Sequence, residues 1–487
     1  MKKLLFFILL FVLVLASCKE DPVVPPSVTV SVSDELVFVS RGESASIKCS
    51  VDSSDLDVTY QWYCCSDEDT STGVPVSGAI DSVLVLSPFT EAGIYYYYCK
   101  VEVSGFFFDS DVVSVSYTGL PTVYINTPHH ASIRSKDEWM EGATIRISGA
   151  SDESWNFSDV TMSVKGRGNT TWIQPKKPYA IKLDKKKSIM GMPKSKRWVL
   201  IANYLDNSFM KNSMAFYLSR QFGMDYTVRG EFVDLVLNGK YMGLYWLGEA
   251  IKVDSNRVDI DEDNDYLIEL DNYYDETWKF KSSVRRLPYM IKNDDSMDVF
   301  RLSALEDAVA ELENLLYPEG EKAEAEPDSG YLSKVDIDSF IKFWFVNELM
   351  GNDNELGHPK SCFLTYTVSD GVFRAGPVWD FDWSTLHIQD NCRCQDTLYY
   401  DALFRSPVFK ARVKELWDSY SGFINVDNEI EKFRAQIKVA AQSDFKLWGI
   451  HRDPSFIVRD GFDAYVDFVK LSLNAKMEVV DDFVEQL

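Results

Sequence analysis

The chain has 487 residues, 46% hydrophobic, 14% aromatic and 26% charged, a globular composition long enough for two or three domains. A formal net charge of −25 argues against a nucleic-acid partner, because such binding rests on Lys and Arg displacing counterions from phosphates. Only five His are present, and Cys392 and Cys394, spaced C-x-C, have no second pair with which to complete a zinc site.

The N-terminus, "MKKLLFFILLFVLVLASC", orders two lysines, an unbroken apolar run and Leu15-Ala16-Ser17-Cys18 as a secretory signal does, over residues 1–17. The run is short for a membrane span. Its ending resembles a bacterial lipobox. That resemblance implies a lipid on Cys18, anchorage in a membrane through it, and a place at the outer membrane or cell surface. The "KEDP" that follows is similar to export signals on surface lipoproteins of Bacteroidetes. Residues 18–26, ending in "PVVPP", read as a tether. Seven cysteines then remain for an oxidising compartment: Cys49, Cys64, Cys65, Cys99, Cys362, Cys392 and Cys394. An odd number leaves at least one without an intramolecular partner.

Over residues 27–118, short alternating segments such as "SVTVSVS", "SASIKCSV", "TYQWY", "SVLVLS" and "GIYYYYCKVEV" predict an all-β sandwich. Trp62 follows Cys49 by thirteen positions, and Tyr97 precedes Cys99 by two. This spacing resembles the immunoglobulin fold, which implies an inter-sheet disulfide between Cys49 and Cys99 with Trp62 packed on it. A spacer or binding role is expected of this unit, with no ligand named by the fold alone.

Residues 119–487 predict a larger α+β domain. Strands are expected in "TVYINT", "ATIRISG", "VTMSVKGRG", "YAIKLD" and "WVLIAN", then a helix in "DNSFMKNSMAFYLSRQFG" with Ser208 near its start. Asn238-Gly239 between two apolar runs signals a hairpin. Helices follow, one in "DIDSFIKFWFVNELMG" with Asp336 as cap, then two strands around Asp370-Gly371 and a helical C-terminal part.

Four stretches of this domain point to chemistry. "KGRGNTTW" offers backbone N–H groups and Arg167 to an anion. In "PKKPYAIKL", Lys176 and Lys177 read as solvated, whereas Lys182, hemmed by apolar neighbours, is the candidate inward ammonium. "NELMGNDNELG" follows a helix with a polar loop around Asp353. "GPVWDFDWS" sets Asp380 and Asp382 among aromatic residues, where ionised carboxylates are costly without a cation, and Mg²⁺ takes one or two carboxylates beside phosphate oxygens. A phosphate-binding loop, a lysine, an Asp/Asn loop and a metal-binding Asp are the parts of phosphoryl transfer.

Together, "VKGRGNTTW…KKPYAIKL", "WVLIANYLDNSFMKNSMAFYLSR", "VLNGKYMGLYWLGEAIKVDSNRVDI", "YLIELDNY" and "GPVWDFDWS" resemble the CotH (spore coat protein H) kinase family. The resemblance implies an atypical protein-kinase-like fold and transfer of the ATP γ-phosphate, with Mg²⁺ or Mn²⁺, to Ser or Thr of a surface or secreted protein. Carried over by position, Asp380 and Asp382 are metal-binding, Asp353 catalytic, Lys182 and Glu249 the phosphate lysine and its partner, and Arg167 and Asn169 nucleotide-loop residues. The kinase pattern departs at His358, five residues after Asp353, where Asn is usual. The alternative expectation is a non-catalytic surface scaffold for adhesion or for glycan or protein capture, built on a degenerate kinase-like domain.

Overall fold

The computed structural model describes residues 26–52, 57–293, 295–320, 324–450 and 459–487. The expected signal sequence, the expected lipidation site Cys18 and nearly all of the expected tether lie outside the described residues. No described helix is long and apolar enough to cross a membrane. The chain divides into two compact units. One takes the described residues up to Val37, Ala45–Leu86 and Tyr95–Val115; the other takes Phe38–Ser44, Ser87–Ile94 and Ser116–Leu487.

The N-terminal region is all β. Its strands are β1 (Val30–Val32), β2 (Leu36–Phe38), β3 (Ala45–Val51), β4 (Val58–Cys65), β5 (Val74–Pro75), β6 (Val83–Leu86), β7 (Gly93–Val103), β8 (Phe106–Asp109) and β9 (Val113–Tyr117). One sheet runs β1-β3-β6 and the other β2-β9-β7-β4-β5, with β8 pairing β7. This layout is compatible with an immunoglobulin-like domain. Trp62 lies opposite Cys99 across β4 and β7, and both are fully buried. In place of the expected Cys49–Cys99 disulfide there are two free thiols, both buried.

The second unit is α+β. Seven strands form a closed barrel: β10 (Thr122–Asn126), β11 (Met140–Ser148), β12 (Phe157–Gly166), β13 (Tyr179–Lys187), β14 (Ser195–Ile201), β15 (Gly230–Leu237) and β16 (Lys240–Glu249), in the order β10-β11-β12-β13-β14-β16-β15. Alternation with period two puts Val123, Ile125, Ile145, Ile147, Met162, Val164, Ile181, Leu183, Trp198, Leu200, Tyr245 and Leu247 into its interior. Asn238 (φ 52) and Gly239 (φ 79) turn β15 into β16, with positive φ at both central positions as a tight hairpin turn demands.

A second, antiparallel sheet has the order β18-β19-β17-β20-β21, from β17 (Tyr266–Leu270), β18 (Lys279–Lys281), β19 (Pro288–Ile291), β20 (Cys362–Thr367) and β21 (Val372–Ala375). Around it pack α1 (Lys211–Gln221), α2 (Val299–Leu316), α3 (Ile337–Leu349), α4 (Asp353–Gly357), α5 (Tyr400–Leu403), α6 (Pro407–Tyr420), α7 (Val426–Trp448) and α8 (Gly461–Glu485), in one large apolar core. The Asp336 carboxylate accepts the Ser339 N–H at 2.9 Å and caps α3. Helix α1 begins at Lys211, three residues after Ser208. The reason is Asp206, whose carboxylate takes the N–H groups of Ser208 and Lys211, both at 2.9 Å, and holds the intervening residues as a turn.

Two buried ion pairs tie helices into this frame. Lys176, expected in solvent, is fully buried: its ammonium donates to Asp444 of α7 at 2.6 Å and to the Leu244 carbonyl at 2.5 Å, while Leu244 N–H donates to the same Asp444 oxygen at 2.8 Å. Lys476 of α8 meets Glu348 of α3 at 2.5 Å, both fully buried, and Glu348 also accepts the N–H groups of Arg393 and Cys394. Cys392 and Cys394 therefore belong to a structural anchor. Burial pushes both thiols well above the ordinary range.

Candidate functional site

A cleft of about 570 Å³ opens in the second unit, where the outer face of the barrel meets one face of the central strands of the five-stranded sheet and the segment Trp379–Trp383. Its barrel side is made by Lys165–Thr171, Val199 and Ile201–Asn203. Glu269, Asp271, Met290 and Lys292 supply the sheet side. Glu355, Lys360 and Ser361 come from the α4–β20 connection.

The "KGRGNT" loop leaves β12 at Gly166, where the Trp172 ring packs so close that a Cβ would collide with it. That packing folds the loop back over the cleft. Lys136 donates to Asn169, and the hydroxyls of Thr170 and Tyr273 meet at 3.1 Å. Arg167 lies with its guanidinium over the Trp379 ring at 5.2 Å. Burial lowers its pKa, and Asp380, Asp382 and Glu269 partly offset that.

Asp380 stands at φ 69, Ser361 at φ 50 and Asn203 at φ 48, so three non-glycine residues of the cleft hold a backbone conformation that such residues rarely adopt. Ser361 Oγ donates to Asp380 at 3.4 Å, and Asn212 of α1 accepts the Phe381 N–H at 2.8 Å, which holds the segment between the two aspartates. Asp382 is buried. Its carboxyl is pushed well above the ordinary range by that burial, then by the charges of Asp380 and Asp206, with Lys211 and Arg167 offsetting only part.

A cation would relieve this arrangement, and the oxygen donors present suit a hard one. Two carboxylates, Asp380 and Asp382, line the same cleft as the Asn203 side-chain oxygen, which is buried and has no hydrogen-bond partner among the described residues. Among the described residues no group of three or more His, Cys, Asp or Glu could hold a metal on its own. The donor set fits Mg²⁺ or Mn²⁺ that completes its shell with water and phosphate oxygens, and does not fit a zinc-type cage.

Of the residues singled out in the sequence, Arg167, Asn169, Asp380 and Asp382 line this one cleft. Lys182 does not. It is exposed on the outer face of β13, because barrel closure turns Ile181 and Leu183 inward and Lys182 out. Glu249 does not either. Fully buried, it is neutralised by Arg229, through bonds of 2.8 and 2.9 Å, and by Arg257 at 3.5 Å. Asp353 begins α4, accepts a hydrogen bond from Gln389 Nε2 at 3.0 Å and lies outside the cleft lining, whereas Glu355, two residues on, is part of it.

The cleft has its own lysine and carboxylates. Lys292, just after β19, pairs with Glu269 of β17 at 2.9 Å and with Glu276. Burial works to lower its pKa, and the two glutamates overcome this and raise it. Asp271, at the end of β17, is pushed up to about 6 by burial and by the nearby charges of Glu269 and Asp275, against N–H bonds from Tyr273 at 2.8 Å and Ser361 at 3.2 Å. Burial also raises Glu355, whose pairing with Lys360 at 3.3 Å offsets part of the rise. The signal for these residues was in the sequence: "YLIELD" and "PYMIKN" set single charges in or beside apolar strands, as "VWDFD" does.

A search of curated proteins gives no match. Among solved structures, a chain from "Structural basis of T cell specificity and activation by the bacterial superantigen toxic shock syndrome toxin-1" is 12% identical. It covers 18% of this chain and 98% of its own, with a TM-score of 0.16, too weak a likeness to bear on the fold. The family model described as CotH kinase protein matches residues 164–486, or 323 of the 487 positions. That span holds the loop, the lysine–glutamate pair and both aspartates of the cleft, and the chain belongs to the CotH kinase protein family.

Proposed function

We propose that the second unit binds a nucleoside triphosphate, ATP foremost, with Mg²⁺ or Mn²⁺ and transfers its terminal phosphoryl group to a Ser or Thr hydroxyl of a surface or secreted protein. The observation that carries this reading is the convergence of Asp380, Asp382, Arg167 and Lys292 on one cleft. When bound, the cation neutralises phosphate charge, and Asp380 and Asp382 are the residues to hold it. Arg167, whose guanidinium is stacked on a ring and makes no ion pair among the described residues, is available to phosphate oxygens. Lys292, oriented by Glu269, takes the phosphate-lysine role in place of Lys182. Asp271, with a pKa near 6, accepts the hydroxyl proton in place of Asp353. A lipid on Cys18, as the lipobox-like "LASC" implies, would put this activity at the cell surface.

The test is transfer from γ-labelled ATP to the chain itself and to acceptor peptides, with Mg²⁺ or Mn²⁺, comparing wild type with Asp380→Asn and Lys292→Met. Loss of transfer in both variants is expected. Equal labelling in all three proteins sinks the reading and leaves a surface scaffold.

A further inference from the structure

Lys165 of β12, Lys182 of β13 and Arg197 of β14 share one face of three adjacent strands. Across β12 and β13, Ser163 pairs with Lys182 and Lys165 with Ala180; across β13 and β14, Lys182 pairs with Arg197 and Ala180 with Val199. Residues opposite one another point to the same side of a sheet, and the residues between them, Val164, Ile181 and Trp198, fill the barrel interior. The three cations therefore lie on the outer face. Val199 and Lys165 on that face also line the cleft, so the basic strip runs out directly from it.

Trp139 sits beside this strip, with the Lys165 ammonium 5.1 Å and the Arg197 guanidinium 4.8 Å from its ring centre. No ion pair is found for Lys165, Lys182 or Arg197 among the described residues. Asp137 and Glu276 act on Lys165 and Asp295 on Arg197, each from beyond ion-pair distance. Like charges directly opposite across a sheet, as Lys182 and Arg197 are, cost stability. In a chain of net charge −25, ample carboxylate is at hand to cancel them, yet among the described residues these three form no ion pair, and two of them lie over Trp139.

The geometry points to this strip as the docking surface for an acidic stretch of the acceptor protein, an inference that rests on the phosphoryl-transfer reading of the cleft. The strip is about 10 Å across its three strands, enough for two or three residues of extended peptide. Charge complementarity of this kind selects a partner and speeds encounter more than it adds raw affinity. The acceptor hydroxyl in the cleft would then have Asp or Glu a few residues away, with Trp139 flanking the bound backbone.

The experiment uses the full chain and labelled peptides that share a central serine and differ in flanks of glutamate, alanine or lysine, with binding read by fluorescence anisotropy. The glutamate peptide is expected to bind about tenfold more tightly than the alanine peptide, with the difference shrinking as salt rises. The double substitution Lys182→Glu with Arg197→Glu, at an exposed and a half-buried position outside the cleft lining, is expected to remove that preference and to leave Mg·ATP affinity and alanine-peptide binding as they were. Equal binding of glutamate and alanine peptides, or a double variant that still prefers glutamate, overturns the proposal. So does a short polyphosphate or single-stranded DNA that outcompetes the glutamate peptide at matched charge. Binding is measured apart from transfer, so the two readings fail separately. Glutamate preference without transfer removes the catalytic reading alone, and transfer without glutamate preference removes the docking surface alone.

Discussion

The Lys292 ammonium, just past the end of β19, stands 2.9 Å from the carboxylate of Glu269 on the neighbouring strand β17 at the sheet side of the cleft, with Glu276 completing the contact. A lysine held from two sides keeps its charge and its position in a partly dry site. Lys292→Met is expected to weaken nucleotide binding at least tenfold, about 1.4 kcal/mol or more. Lys182→Met leaves it unchanged, because that side chain lies outside the cleft. Isothermal titration with a non-hydrolysable ATP analogue separates the two.

Asp382 is buried beside Asp380 and Asp206, so its substitution is expected to move stability and function in opposite directions. Asp382→Asn removes a buried like-charge repulsion and stabilises the cation-free protein by on the order of 1 kcal/mol, while binding of Mn²⁺ is lost. Denaturant unfolding with and without Mn²⁺ checks both parts. A variant that is less stable than wild type without metal, or that is stabilised by Mn²⁺ as wild type is, contradicts the assignment.

Asp234 of β15 is fully buried, accepts hydrogen bonds from Thr118 and from Tyr241 at 2.7 Å, and is pushed up to about 7 by burial. The folded state therefore holds a proton that the unfolded chain releases near pH 4. The stabilisation from this group is fully present below pH 4 and is lost as pH rises towards 7, by up to about 4 kcal/mol. Asp234→Asn is expected to flatten the fall in unfolding free energy between pH 4 and 7. An unchanged slope contradicts the assignment.

Breaking the Lys176–Asp444 pair is expected to be among the costliest single changes in the second unit. Lys176→Met leaves Asp444 buried with, among the described residues, the Leu244 N–H alone for a partner, a loss of about 3–5 kcal/mol. The double variant Lys176→Met with Asp444→Leu is expected to recover much of this, since no unpaired charge stays buried. Urea unfolding of the single and double variants measures the recovery.

Local patterns were enough for much of this protein. The period-two strands of both units, the Asn238-Gly239 hairpin, the Asp336 cap and the two aspartates set among aromatics each depend on residues within a turn or a strand of one another. Arg167 and the aspartates, which line the cleft, stand out in the sequence because a charge in an apolar or glycine-rich run is a local anomaly. Which lysine would be buried was not local. Alternation in "YAIKLD" shows that Lys182 and Ala180 share a side, but only closure of the barrel makes that side the outer one. Lys176 is taken out of water by Asp444, 268 positions along the chain, and Lys292 is held by carboxylates brought to it through sheet pairing. An ammonium's burial is set by the charge that compensates it, and when that charge arrives from a distant element, only the tertiary fold decides the outcome.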